Sequence, residues 1–171
     1  MKLPIVAALL LGLCAGACSD PIRTRAVDEL GGEDPATPVG PLHRPGQPCL
    51  VCHGADGPAE SRFSLAGTVY QLPDTVEPLG DVTVRFIDST GAQYRVVSNC
   101  AGNFYVGAAN FEPAWPVWMK IEWKSLSQEM ISPSFREGSC AECHQDPATP
   151  STAGHLYVGD EQTTFPHEAC E

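Results

Sequence analysis

Phe63-Ser64-Leu65-Ala66-Gly67-Thr68-Val69-Tyr70 opens the part of the chain that decides the fold. Four further stretches of the same kind follow: Val82-Thr83-Val84-Arg85-Phe86-Ile87-Asp88, Gln93-Tyr94-Arg95-Val96-Val97, Gly102-Asn103-Phe104-Tyr105-Val106 and Val117-Trp118-Met119-Lys120-Ile121-Glu122-Trp123. Each is short, rich in β-branched or aromatic residues and partly alternating, the pattern of a strand with one face buried. Leu72-Pro73-Asp74, Ser89-Thr90-Gly91 and Asn99 to Gly102 separate them with turn chemistry. Five such strands with no helix-length apolar repeat between them predict an all-β fold, an antiparallel β-sandwich.

Within this region Gly67-Thr68-Val69-Tyr70, Gly80-Asp81-Val82-Thr83-Val84-Arg85-Phe86, Gly91 and Ser98-Asn99-Cys100-Ala101-Gly102-Asn103-Phe104 resemble the transthyretin-like, or carboxypeptidase regulatory-like, β-sandwich. The resemblance covers Phe63 to Trp123. It implies a seven-stranded sandwich of Ig type that brings no catalytic residues of its own, and so a scaffold more than a function. Cys100 stands where that family has an ordinary turn residue.

Two pentapeptides bracket the sandwich, Cys49-Leu50-Val51-Cys52-His53 and Cys140-Ala141-Glu142-Cys143-His144. Cys-x-x-Cys-His is the attachment signature of c-type haem. Two thiols three positions apart can each add to a vinyl group of one porphyrin, and the adjoining histidine then reaches the iron. The expected cofactors are therefore two covalent haems, held by Cys49, Cys52, Cys140 and Cys143 and ligated by His53 and His144. The competing reading makes each Cys-x-x-Cys a local disulfide or half of a zinc knuckle. Zinc-ribbon knuckles stand about 15 to 20 residues apart, whereas a domain's length of chain separates these two. Outside the motifs nothing resembles the helical cytochrome c fold, so the haems are expected at the ends of the sandwich or against one of its faces.

The N-terminus speaks for export. Lys2 supplies a positive charge, Pro4 to Leu13 is apolar but too short to span a bilayer, and Ala15-Gly16-Ala17 precedes Cys18. Ala15-Gly16-Ala17-Cys18-Ser19 resembles a bacterial lipobox, which implies lipidation of Cys18 and anchoring at the outer membrane, facing the periplasm or the cell surface. That pattern prefers Leu where Ala15 stands, and ordinary cleavage near Ala17 is the alternative. Setting aside Cys14, Cys18 and the motif thiols leaves Cys100 and Cys170 of the 8 cysteines. An even pair in an oxidising compartment is expected to form a disulfide.

The expected organisation is a signal peptide at 1–17, a disordered Pro/Gly-rich tether at 18–42, a first haem segment at 43–60, the sandwich at 61–126, and a second haem segment with the tail at 127–171. Acidic pairs in the tether, such as Glu33-Asp34, read as solvated. Of the 5 histidines, His43, His155 and His167 remain as distal ligands once the motif pair is assigned. Bis-histidine ligation is favoured, with His155 or His167 serving one iron and His43 the other. Methionine is the alternative, and would raise the potential. Met119 alternates with Val117, Ile121 and Trp123 and reads as core, which makes Met130 the better methionine candidate. Trp115, in the proline-flanked loop from Phe111 to Pro116, is a candidate to cover a haem edge.

The chain carries 10 Lys and Arg against 21 Asp and Glu, a net charge of −11. This disfavours nucleic acid and suits a basic redox partner. No nucleophile–base pair, phosphate-binding Gly loop or HExxH is present. The expected function is electron transfer by an exported dihaem lipoprotein, a carrier more than a catalyst. The alternative is a non-haem adhesion or binding sandwich whose Cys-x-x-Cys pairs are structural disulfides.

Overall fold

The computed structural model describes residues 20–145, 149–150, 152–166 and 170. The signal peptide, the lipidation residue Cys18 and His167 lie outside them. The chain divides into two units, Met1–Gly32 and Glu33–Glu171. In the first, helix α1 (Pro21–Glu29) is capped by Asp20, whose carboxylate accepts from the Ile22 and Arg23 amides at 3.0 and 3.2 Å. Pro21 sits at the first helical position, where a missing N–H costs nothing. An Arg25–Glu29 ion pair at 2.7 Å adds i,i+4 support. The segment read as a structureless tether thus contains a helix that buries none of its residues. Local capping makes it, and a search for apolar periodicity does not see capping.

In the second unit, seven strands are found among the described residues: β1 (Phe63–Tyr70), β2 (Thr83–Ile87), β3 (Gln93–Val97), β4 (Asn103–Gly107), β5 (Trp118–Trp123), β6 (Leu126–Glu129) and β7 (Leu156–Tyr157). They form a three-stranded sheet in the order β4-β1-β7 and a four-stranded sheet in the order β3-β2-β5-β6. The all-β, two-sheet architecture is as expected, with one departure in direction. β7 pairs parallel to β1, Val69 against Leu156 and Tyr70 against Tyr157, while the other strand pairs are antiparallel.

Alternation sets which side chains enter the core. In β2, Val84 and Phe86 are fully buried while Arg85 and Ile87 face out. Leu65 and Val69 of β1, Phe104 of β4 and Met119 and Ile121 of β5 meet them from the two sheets. Burying a large apolar side chain contributes about 1.5–3 kcal/mol. Trp115 joins the periphery of this cluster, so its expected place over a haem edge gives way to core packing. Cys100 and Cys170 are bonded, with Cα atoms 5.3 Å apart across a sequence separation of 70. The bond ties the C-terminus to the turn between β3 and β4.

The turn after β2 is organised by Asp88, only 5% exposed. Its carboxylate accepts from the Thr90 hydroxyl at 2.6 Å, the Thr90 amide at 2.8 Å and the amides of Ala92 and Ala114 at 3.0 Å. These donors, the Thr90 hydroxyl first and the Ala114 amide second, hold its pKa at about 2, below the ordinary 3.8. A depressed carboxylate stabilises the fold above its unfolded pKa, and that contribution is lost as pH falls toward the folded value. The urea midpoint should therefore fall as pH drops from about 4 to about 2, and fall less steeply in Asp88→Asn. Equal slopes for the two proteins would show that Asp88 does not carry this dependence.

Candidate functional site

Both Cys-x-x-Cys-His motifs are built on β1. Its outer side receives the first. Thr68 Oγ1 accepts from the Gly46 amide at 2.7 Å and donates to Asn103 Oδ1 at 2.8 Å. Asn103 Nδ2 in turn donates to the His43 carbonyl at 3.0 Å. These bonds lay the chain from Pro41 to Gly46 on the sheet and deliver it into the short helix α2 (Leu50–His53). The second motif arrives at the edge of β1, where Ala66 N donates to the Gly138 carbonyl at 2.9 Å and Ala66 bridges Ser139 in parallel. Cys140–Glu142 then forms a single 3₁₀ turn.

A glycine makes the second approach possible. Gly67 lies on the inner side of β1 between Leu65 and Val69, and a Cβ there would stand 2.8 Å from Cys140 Cβ and 2.9 Å from both Cys140 Sγ and Phe104 Cζ. Cys140 Sγ lies 4.0 Å from Met119 Sδ, so this thiol reaches the core. The two motifs are also neighbours. Leu50 Cδ2 would stand 3.0 Å from a Cβ at Gly138. Burial pushes the Cys140 thiol well above its ordinary pKa, and a charge on Cys49 would push it the same way. Burial likewise raises Cys49 to about 11. Cys49, Cys52, Cys140 and Cys143 are all unpaired, in contrast to Cys100 and Cys170.

The two histidines are held by the same device. His53 N donates to the Cys49 carbonyl and His144 N to the Cys140 carbonyl, both at 2.8 Å. The chain then returns, with Ala59 N on the Cys52 carbonyl at 3.0 Å and Ala153 N on the Cys143 carbonyl at 2.8 Å. Each imidazole sets its Nδ1 3.0 Å from a carbonyl oxygen on the returning strand, Ser61 O for His53 and Gly154 O for His144. A ring anchored through Nδ1–H keeps its Nε2 lone pair for a metal. Burial lowers the pKa of His144, partly countered by the Gly154 bond, which favours the neutral ligating form.

The remaining candidates fall in different places. His43 and His53 meet edge to face with ring centres 5.9 Å apart. His43 Nδ1 lies 3.4 Å from Glu33 Oε2, and Glu33 also grips Arg44 at 2.6 Å. Glu33 therefore backs His43, a correction to its reading as a solvated acid. His155 is buried, stacked on Tyr70 at 4.1 Å between ring centres. Sequence reasoning did not find the aromatic support under His53, where Phe63 stacks at 4.4 Å and Tyr105 on Phe63 at 4.7 Å.

Beside His144 opens a cavity of about 390 Å³, lined by Met119, Ile121, Met130, His155 and Leu156 among others. Its size and mostly apolar walls suit a small-molecule ligand. Unpaired thiols in register with a carbonyl-anchored imidazole fit the attachment chemistry of haem c. Among the described residues no three His, Cys, Asp or Glu side chains converge in a metal cage. No family model, curated protein or solved structure matches the chain.

The close approach at Gly67 gives a direct test. Gly67→Ala should cost about 1–3 kcal/mol by overpacking against Cys140 and Phe104, read as a lower urea midpoint. An unchanged midpoint would mean that the second motif does not depend on this contact.

Proposed function

We propose that the chain is an exported dihaem c-type electron carrier, a lipoprotein anchored through Cys18, in which the β-sandwich holds two haem-binding segments. The carrying observation is the repeated geometry: at both motifs the thiols are unpaired and the histidine Nδ1 is fixed at 3.0 Å from a backbone carbonyl. In this reading Cys49 with Cys52, and Cys140 with Cys143, would form thioethers as each S–H adds across a vinyl group, and His53 and His144 would ligate the irons. His43, backed by Glu33, would be the second ligand at the first site. Bound haem supplies one-electron exchange between ferric and ferrous iron. The protein's part is to orient the imidazoles, exclude water from the Cys140 side and present an acidic surface to a basic redox partner.

The sandwich belongs, in the same reading, to the carboxypeptidase regulatory-like or transthyretin-like type with Ig-like strand order. It acts as scaffold, and the chemistry sits in the segments docked on β1. The adhesion alternative needs two local disulfides within the motifs, and the four separate thiols favour the haem reading over it.

The deciding measurement is a reduced pyridine haemochrome spectrum with intact mass, on protein matured in a periplasm competent for c-type attachment. Two covalent haems are expected in the wild type, with the affected haem lost in Cys52→Ala and in Cys143→Ala. Colourless protein with only disulfide mass shifts would overturn the proposal and leave the binding module in front.

A further inference from the structure

The cavity beside His144 lies where the free edges of the two sheets come together. β7 is the edge of the three-stranded sheet and β6 the edge of the four-stranded one. One wall is His144 with residues 153–157, the other is residues 128–132, and Met119 and Ile121 of β5 line the cavity with them. A haem held by Cys140 and Cys143 and ligated by His144 would take its second ligand from the opposite wall.

Three side chains compete for that position. Met119 is excluded by its place: its Sδ lies 4.0 Å from Cys140 Sγ, and a thioether sulfur marks the porphyrin rim, whereas an axial ligand stands over the centre. Met119 also pairs in register with Phe86 in the core. His155 is excluded by its side. His144 Nδ1, which faces away from a metal on Nε2, is bound to the carbonyl of Gly154, so the chain at 154–155 runs behind the proximal ring. Leu156 points into the core, and although His155 borders the cavity, strand alternation commits its ring to stacking on Tyr70. Met130 remains. Its amide extends the β5–β6 pairing by donating to the Met119 carbonyl at 3.0 Å, and period-two alternation places it on the same inward side as Leu126. Its wall otherwise offers Gln128, Glu129, Ile131 and Ser132, none a soft donor.

We infer that Met130 is the second axial ligand at the His144 site, so that the two haems are chemically unequal: histidine–histidine at the first motif and histidine–methionine at the second. This rests on the dihaem reading and replaces the histidine expected at that iron. A thioether ligand raises the reduction potential relative to a second imidazole, which makes the second site the electron-accepting end of the pair.

The test uses full-length protein matured with haem and first counted by haemochrome. Wild type should show a sulfur-to-iron charge-transfer band in the ferric far-red spectrum and two separated midpoint potentials. Met130→Leu should abolish the band and shift one midpoint, and Met130→His should restore a six-coordinate low-spin spectrum while lowering that same midpoint. Loss of the band in Met119→Leu instead, its absence from the wild type, or unchanged spectra in Met130→Leu would overturn the assignment while leaving two haems in place. A haemochrome count of zero would overturn the dihaem reading itself, and the assignment with it.

Discussion

The seat of the second motif depends on the bare backbone at Gly67. In the middle of a strand whose neighbours Leu65 and Val69 fill the core, one position carries no side chain, and Cys140 occupies the space. Strand glycine weakens a sheet when it serves no contact. Here the contact is the seat of the second motif, and it fixes the 3₁₀ turn, the edge pairing at Ala66 and the position of Met119 against Cys140. The first motif is set by the opposite side of the same strand, through Thr68. A single strand therefore positions both sets of thiols.

The two motifs solve the same problem with the same parts. In each, a turn brings the histidine amide onto the first cysteine's carbonyl, the chain doubles back onto the second cysteine's carbonyl, and the imidazole is locked to an oxygen just before a strand begins. Ser61 precedes β1 and Gly154 precedes β7, and those two strands are paired in parallel. Preorganisation of this kind removes the ring's rotational freedom before any ligand arrives, which is where supporting hydrogen bonds contribute most. The parallel pairing of β7 is then part of the site: it holds the oxygen that orients His144.

The sequence made the strands legible because their signal is local. Val84 and Phe86 alternate with Arg85 and Ile87, and proline and glycine clusters mark their ends. β6 escaped notice because Ser127, Gln128 and Glu129 are polar, as an exposed edge strand permits, and β7 because its two residues pair with a strand far away in the chain. The motif cysteines and their histidines were readable from spacing alone. What spacing cannot carry is the second layer: the Ser61 and Gly154 carbonyls, Glu33 behind His43, and Phe63 beneath His53 are chosen by tertiary approach, and a carbonyl has no letter in the sequence. Met130 was visible as a methionine near the motif, but its role depends on which sheet edge faces His144.

Charge is distributed unevenly over this scaffold, and that bears on where a partner approaches. The outward side of the four-stranded sheet sets Arg95 opposite Arg85 and Arg85 opposite Lys120. Like charges directly across strands repel, and Glu122 relieves them by pairing with both Arg85 and Lys120. Exposed Ile87 and Trp118 stand beside this row. The motif segments, docked on the other sheet, carry Asp56 and Glu60 after the first motif and Glu137 and Glu142 around the second. Burial raises the pKa of Glu142, and Glu137 raises it further, a sign of negative charge gathered close to the thiols. Arg44, Arg62 and Arg136 lie in or against the same segments, and Arg44 is paired with Glu33. Under the proposed function, a basic redox partner would be repelled by the Arg95–Arg85–Lys120 row and steered toward the three-stranded sheet, where both motif segments dock.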